Sequence, residues 1–258
     1  MRRKTMTAIV QHMTEAKEYL IFTLGDSITR GSGASSDETA YTAVMTRELA
    51  QRFPQREILR YDGQQARIPD GELIPVDHFD GPIAVQRGSE GKLTVVRCGI
   101  GGNTVRRLLN RKGDYAGREF EGRRADLFTV MLGINDSLIK VKEKYVTPEQ
   151  YKKDLCELLA LLAETNPEAD VILMTPTYYH DGSTPDSYLD LYAEKMIEVA
   201  REQELPLIDL HKMWMDHMVV GADGYGQGDW LPRDKCHPGD LGHRLLGEEI
   251  VKRIFCEA

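Results

Sequence analysis

No apolar run in the 258-residue chain approaches the ~20 residues that a membrane span requires. The N-terminal stretch "MRRKTMTAIVQHMTEAKEYL" is basic at its start but lacks an apolar h-region, so it does not read as a secretory signal. The expected location is therefore cytoplasmic. Positive charge is not in excess. Lys and Arg number 33 against 41 Asp and Glu, a formal net charge of -8. That balance argues against nucleic acid or an anionic membrane as a partner, since both call for a basic face. The one basic cluster, "GREFEGRRAD", is interleaved with acids and reads as a solvated surface. None of the four cysteines forms a C-x-x-C pair, which excludes a zinc ribbon or a redox motif of that kind. Cys98 and Cys156 lie in apolar runs, and reduced, mostly buried thiols are expected. There is no internal repeat and no low-complexity tract. With 41% hydrophobic and 29% charged residues, the chain has the composition of a packed globular protein.

What the sequence does contain is an alternation of strand and helix signals. "YLIFTLG" from Tyr19, "KLTVVRCG", "ADLFTVMLG", "DVILMTP" and "PLIDL" read as five short buried strands. Between and after them lie helical patterns: "DETAYTAVMTRELAQRF", a short helix begun by Asn103, "TPEQYKKDLCELLALLAETNP", "YLDLYAEKMIEVAREQEL" and "GDLGHRLLGEEIVKRIF". In the third of these, Thr147 suits the N-cap, Pro148 the first turn, and Asn166-Pro167 the stop. Strands separated by helices predict a parallel sheet covered by helices. The alternation breaks only over about 54–91, which reads as a β-rich insertion of hairpins and not a second domain. The expectation is one domain over 1–258.

In such a sheet, ligands bind beyond the carboxyl ends of the strands. The residues there are Gly25-Asp26-Ser27, then "CGIGGNT" from Cys98, then "LGINDS" from Leu132, with "DKCHPGDLGH" from Asp234 before the last helix. These supply the parts that acyl transfer needs. Ser27 is the candidate nucleophile, His237 its base, and Asp234 the group that orients the imidazole. The N–H groups of Ser27 and Gly102 and the amide of Asn135 are candidate oxyanion donors. Asp26, Asn103, Tyr178 and Trp230 are candidate substrate-binding residues. Asp26 and Asp136 also read as loop braces, and Asn103 as the cap of the short helix. His243, on the last helix, reads as surface or packing. A metal held by Asp26, Asp234 and His237 is disfavoured because no H-x-x-x-H or Cys cluster accompanies them. "CGIGGN" lacks the G-x-G-x-x-G spacing of a dinucleotide site. No cofactor is expected.

With its four blocks in this order, the sequence resembles the SGNH (GDSL-like) hydrolases. "GDSITRG", "CGIGGNT", "GIND" and "DKCHP" are similar to that family's first, second, third and last blocks. The resemblance assigns Ser27, Asp234 and His237 to a triad, and Gly102 and Asn135 to the oxyanion hole. The family's second block usually opens with Asn, where this chain has Arg97. The resemblance implies an α/β fold, a three-layer α/β/α sandwich with a five-stranded parallel sheet in flavodoxin-like order. The G-x-S-x-G elbow of the larger α/β-hydrolase fold is absent around Ser27.

The expected activity is hydrolysis of an ester carrying a small acyl group, acetyl first, through an acyl-enzyme. The substrate expected is a small molecule or a carbohydrate ester. Tyr61, Gln64, Gln65, His78 and Phe79 in the insertion, with Tyr225 and Trp230 near the triad, offer polar and aromatic groups suited to a sugar. Tyr178, Tyr179 and His180 follow the fourth strand and offer a further aromatic wall. The same triad also serves an acyltransferase, a thioesterase or a lysophospholipase. A non-catalytic binding protein on this fold is the remaining alternative. Oligomeric state is not legible.

Overall fold

A computed structural model describes residues 5–63, 81–179, 188–217 and 236–256. Seven strands occur among the described residues: β1 (Glu18–Gly25), β2 (Glu57–Asp62), β3 (Ile83–Gln86), β4 (Lys92–Gly99), β5 (Leu127–Met131), β6 (Asp170–Met174) and β7 (Leu207–Ile208). They form one sheet in the order β3-β2-β4-β1-β5-β6-β7, parallel throughout except for the β2–β3 pair. Every residue of β5 and β6 is buried, and in β1 only Glu18 is exposed. Both faces are therefore covered, which is why these strands read as unbroken apolar runs.

The five strands read from the sequence are β1, β4, β5, β6 and β7. They are adjacent and follow the expected 2-1-3-4-5 order. The expected strand count needs correction, because β2 and β3 extend the sheet beyond β4. Both come from the 54–91 segment. β2 is a strand of the main sheet, paired parallel with β4, and not part of a separate meander. Residues 64–80 of that segment lie outside the described residues. β2 escapes a hydrophobic reading because it buries charge. Arg60 donates from Nε to Asp62 at 3.1 Å and from Nη2 to Glu38 at 2.6 Å. Arg97 on β4 approaches Asp62 at 3.3 Å and donates to Asp37 at 2.7 Å. Arg97, the departure from the family's usual Asn, thus ties the loop after Ser27 to the sheet.

The helices are α1 (Met6–Glu15), α2 (Ser27–Arg30), α3 (Tyr41–Arg52), α4 (Val105–Asn110), α5 (Pro148–Thr165), α6 (Tyr188–Glu202), α7 (Leu210–His217) and α8 (Asp240–Cys256). From β1 the chain passes through α3 to β2 on one side; from β5 it passes through α5 to β6 on the other. Right-handed crossovers in opposite directions place α3 and α5 on opposite faces. α8 packs on α3 and α1, while α5 packs on α4 and α6, completing three layers. α5 begins and ends as expected. Thr147 accepts from the Gln150 N–H at 3.2 Å, Pro148 follows, and Asn166 closes the helix. It buries Tyr151, Leu155, Leu158, Leu159 and Leu162 along one stripe, each leucine contributing about 1.5–3 kcal/mol over exposure. No disulfide joins the four cysteines. Cys98 is buried, Cys156 and Cys236 are half-buried, and Cys256 is exposed, fewer buried than expected. Among the described residues, no helix is long and apolar enough to cross a membrane.

His243 has a larger role than packing alone. It is fully buried, and its ring stacks on Tyr41 at 6.3 Å. Nδ1 accepts from the Tyr41 N–H at 3.2 Å, so Nε2 carries the proton and donates to the Ser32 carbonyl at 3.1 Å. Burial holds its pKa down to about 4, against an ordinary 6.5. Between those values the unfolded chain binds a proton here that the folded chain does not, so stability falls as pH falls. From about pH 7 to about pH 5 this residue removes about 2 kcal/mol. The raised carboxyls of Asp26 and Asp136 act in the opposite sense and cancel in a comparison of variants. Urea unfolding of wild type and His243→Gln at both pH values should show the wild type losing about 2 kcal/mol more than the variant. Parallel losses would rule this account out.

Candidate active site

Three adjacent strands deliver the site. Gly25 of β1 is in register with Gly99 of β4 and Met131 of β5, so the loops after all three emerge side by side. Ser27 stands at the first position of α2, half-buried. The carboxylate of Asp26 caps this short helix by accepting from the Ile28 N–H at 2.9 Å, which leaves the serine hydroxyl free for other work.

His237 arrives from 210 positions away and lies with Nε2 2.7 Å from Ser27 Oγ. Three contacts between the loop after α2 and the start of α8 set that distance. Asp240 accepts from the Ser35 N–H at 2.8 Å and from its hydroxyl at 2.7 Å. His243 holds the Ser32 carbonyl. Gly33, at φ +94°, packs so closely that a Cβ there would sit 2.2 Å from the Pro238 carbonyl oxygen and 2.9 Å from His237 Cβ. With the imidazole proton on Nδ1, the serine O–H donates to Nε2, which is the geometry of a nucleophile with its base.

Gly102 follows β4 at φ +72°, a conformation that glycine adopts without strain. Its carbonyl accepts from Arg107 Nη1 at 3.1 Å, while its N–H meets no acceptor among the described residues. Asn135, after β5, is buried. Its Nδ2 lies 3.4 Å from Asp26 Oδ2, and its Oδ1 accepts from Lys144 Nζ at 3.1 Å. Burial pushes Asp26 up to about 6, while the Ile28 N–H and then the charges of His237 and Lys144 pull it down. Burial likewise pushes Asp136 up to about 8; its Oδ1 accepts from the Val105 N–H at 3.1 Å, bracing the Gly102 loop. Lys144 is held below the ordinary lysine value by burial first and then by Arg107, with Asp26, Cys236 and Glu143 pulling the other way. Lys144 and Arg107 thus lie against Asn135 and the Gly102 loop, whose neutral amide and N–H are groups suited to a developing negative oxygen.

The candidate residues divide. Ser27, His237, Asp26, Gly102 and Asn135 come together. Asn103 is buried, and its amide donates to the Gly25 carbonyl at 3.2 Å, bracing the end of β1. It does not cap α4. That cap is Thr104, whose hydroxyl accepts from the Arg107 N–H at 3.1 Å. Tyr178 is buried and Tyr179 half-buried. Tyr61 is buried on β2 with its hydroxyl on Glu121. Asp234, Trp230, Tyr225, His180, Gln64, Gln65, His78 and Phe79 lie outside the described residues. Among the described residues, no group of three His, Cys, Asp or Glu side chains is placed to hold a metal. Lys144 and Arg107 went unnoticed in the sequence. "KVKEKY" reads as a solvated charged run, and only the folding of the loop turns one lysine inward.

Solved structures that match the chain include an acetyl xylan esterase, 20% identical with a TM-score of 0.63, over 92% of this chain and 100% of that one. A lipase/acylhydrolase from Enterococcus faecalis is 23% identical with a TM-score of 0.60, over 92% and 95%. An acetylxylan esterase from Geobacillus stearothermophilus is 23% identical with a TM-score of 0.61, over 92% and 94%. At these identities the likeness establishes the fold. No curated protein matches the sequence. The family comparison goes further. Residues 82–245, well over half of the chain, match a family described as GDSL-like lipase/acylhydrolase; Gly102, Asn135 and His237 fall inside the match and Ser27 before it. The chain belongs to the GDSL-like lipase/acylhydrolase family and is an ester-hydrolysing serine hydrolase.

Proposed function

We propose that this enzyme removes a small acyl group, acetyl first, from a carbohydrate ester, with Ser27 as nucleophile and His237 as general base. The 2.7 Å approach of His237 Nε2 to Ser27 Oγ at the carboxyl edge of the sheet carries the reading. Ser27 Oγ attacks the acyl carbonyl as its proton passes to Nε2. The tetrahedral oxyanion takes hydrogen bonds from the N–H groups of Ser27 and Gly102 and from Asn135 Nδ2. The imidazolium returns its proton to the leaving alcohol, giving the acyl-enzyme. Water, activated by the same imidazole, then releases the acid and restores Ser27. Asp234 serves as the acceptor for the Nδ1 proton of His237. The whole chain, 1–258, works as one hydrolase domain.

The polar surroundings of the hole support a short acyl group, with Asn135, Lys144 and Arg107 beside it. The acetyl xylan esterases among the structural neighbours support a sugar as the alcohol. A panel of p-nitrophenyl acetate, butyrate and octanoate, with acetate release from acetylated xylo-oligosaccharides, tests this. Acetate should exceed octanoate in kcat/KM by at least about tenfold, the discrimination available to a pocket that excludes added methylenes. Acetate should also be released from the oligosaccharide. A preference for octanoate, or no release from the sugar, would overturn the substrate reading.

A further inference from the structure

Asn135 presents a question of orientation. Its amide oxygen and nitrogen exchange places on a half-turn, and only the nitrogen can donate to an oxyanion. A half-turn about the last side-chain bond would aim a carbonyl oxygen at the developing negative charge. The loop between β5 and α5 answers this. Its backbone closes in successive turns, Leu138 N–H to Asn135 O, Val141 N–H to Leu138 O and Lys144 N–H to Val141 O, and Val146 N–H then returns to Asp136 O. The loop therefore brings Lys144 back beside the residue it left nine positions earlier.

An ammonium can only donate. Lys144 Nζ, 3.1 Å from Asn135 Oδ1, therefore fixes that atom as the oxygen. Asp26 Oδ2 faces Nδ2 at 3.4 Å and favours the same assignment. The oxygen and nitrogen of an amide share one π-system, so a cation on the oxygen also makes the N–H a stronger donor. The ammonium lies against the Gly102 loop as well, where a Cβ on Gly102 would sit 3.0 Å from Nζ. Arg107 Nη1 donates to the Gly102 carbonyl at 3.1 Å, so a second cation lies on the same loop.

We infer that Lys144 is a positioning residue for the oxyanion hole, holding the Asn135 amide with Nδ2 toward the reacting oxygen and strengthening it as a donor. The inference rests on the oxyanion role of Asn135 proposed above. It assigns the lysine no contact with substrate, so its effect belongs in kcat and must pass through Asn135.

The test is a double-mutant cycle with p-nitrophenyl acetate, using Lys144→Met, Asn135→Ala and the pair. Lys144→Met should lower kcat about tenfold or more while KM changes less than about twofold, in line with the loss of one charge-assisted hydrogen bond. In the Asn135→Ala background the same substitution should cost less than about twofold. Lys144→Arg, which keeps the charge, should recover most of the loss. Lys144→Gln, which keeps a neutral donor, should fall between and serves if the methionine variant does not fold. Equal losses in both backgrounds, a loss confined to KM, or a loss as large in Lys144→Arg as in Lys144→Met would each overturn the inference. If Asn135→Ala itself costs nothing, the oxyanion reading has failed, and that is distinguishable from a failure of Lys144 alone.

Discussion

Replacing Ser27 by alanine should remove turnover, with kcat/KM falling by on the order of a millionfold and the unfolding midpoint unchanged. The rate effect follows from chemistry. Without Oγ there is no acyl-enzyme, and a histidine base has nothing to activate except bulk water. The stability expectation follows from the structure. The cap of α2 is the side chain of Asp26, so Ser27 is not holding the helix. Its hydroxyl has one partner among the described residues, His237. Alanine at a first helical position costs little in propensity. His237→Ala should lose a comparable factor, and the double variant should lose no more than either alone, because the pair acts as a unit. Steady-state kinetics on the three variants, with circular dichroism as the control for folding, check this. Additive losses would mean the 2.7 Å contact is incidental to catalysis.

Asn135→Ala should lower kcat by about 100- to 1,000-fold, about 3–4 kcal/mol, with KM little changed. The neutral amide gives little to the uncharged acyl carbonyl of the bound ester. It acts when that oxygen becomes negative, so its loss appears in the transition state. The buried site amplifies the effect, since water is poorly placed to replace the missing donor. The substitution also leaves Asp26 Oδ2 and Lys144 Nζ facing each other across the vacated space, and their mutual attraction limits the structural cost. A variant that loses KM and not kcat would instead make Asn135 a ground-state binding residue.

How much of this was legible in the sequence depended on whether a residue's role is local. The strands β4, β1, β5, β6 and β7 are short runs rich in apolar residues and read directly. β2 did not, because its burial is achieved by pairing Arg60 with Asp62 and Glu38, and a hydrophobic pattern cannot register an ion pair. β3 is an edge strand with a half-buried, broken pattern. α1 and α7 also went unannounced. The site blocks were legible because glycine and small polar residues cluster at strand ends, and the order of the blocks matched a known family. Asn103 was misjudged because its cap position and its actual target, the Gly25 carbonyl, lie on different elements. His243 and Lys144 were beyond reach for the same reason. Each acts on a segment distant in the chain or folded back on itself, and neither contact leaves a spacing to read.

The central claim is that Ser27 forms the covalent intermediate. Its most direct test is mass spectrometry of the enzyme after reaction with an organophosphonate ester, followed by peptide mapping. The account predicts one stoichiometric adduct, on Ser27, with labelling strongly slowed in His237→Ala. An adduct on another residue, or none on an enzyme that turns over p-nitrophenyl acetate, would contradict it.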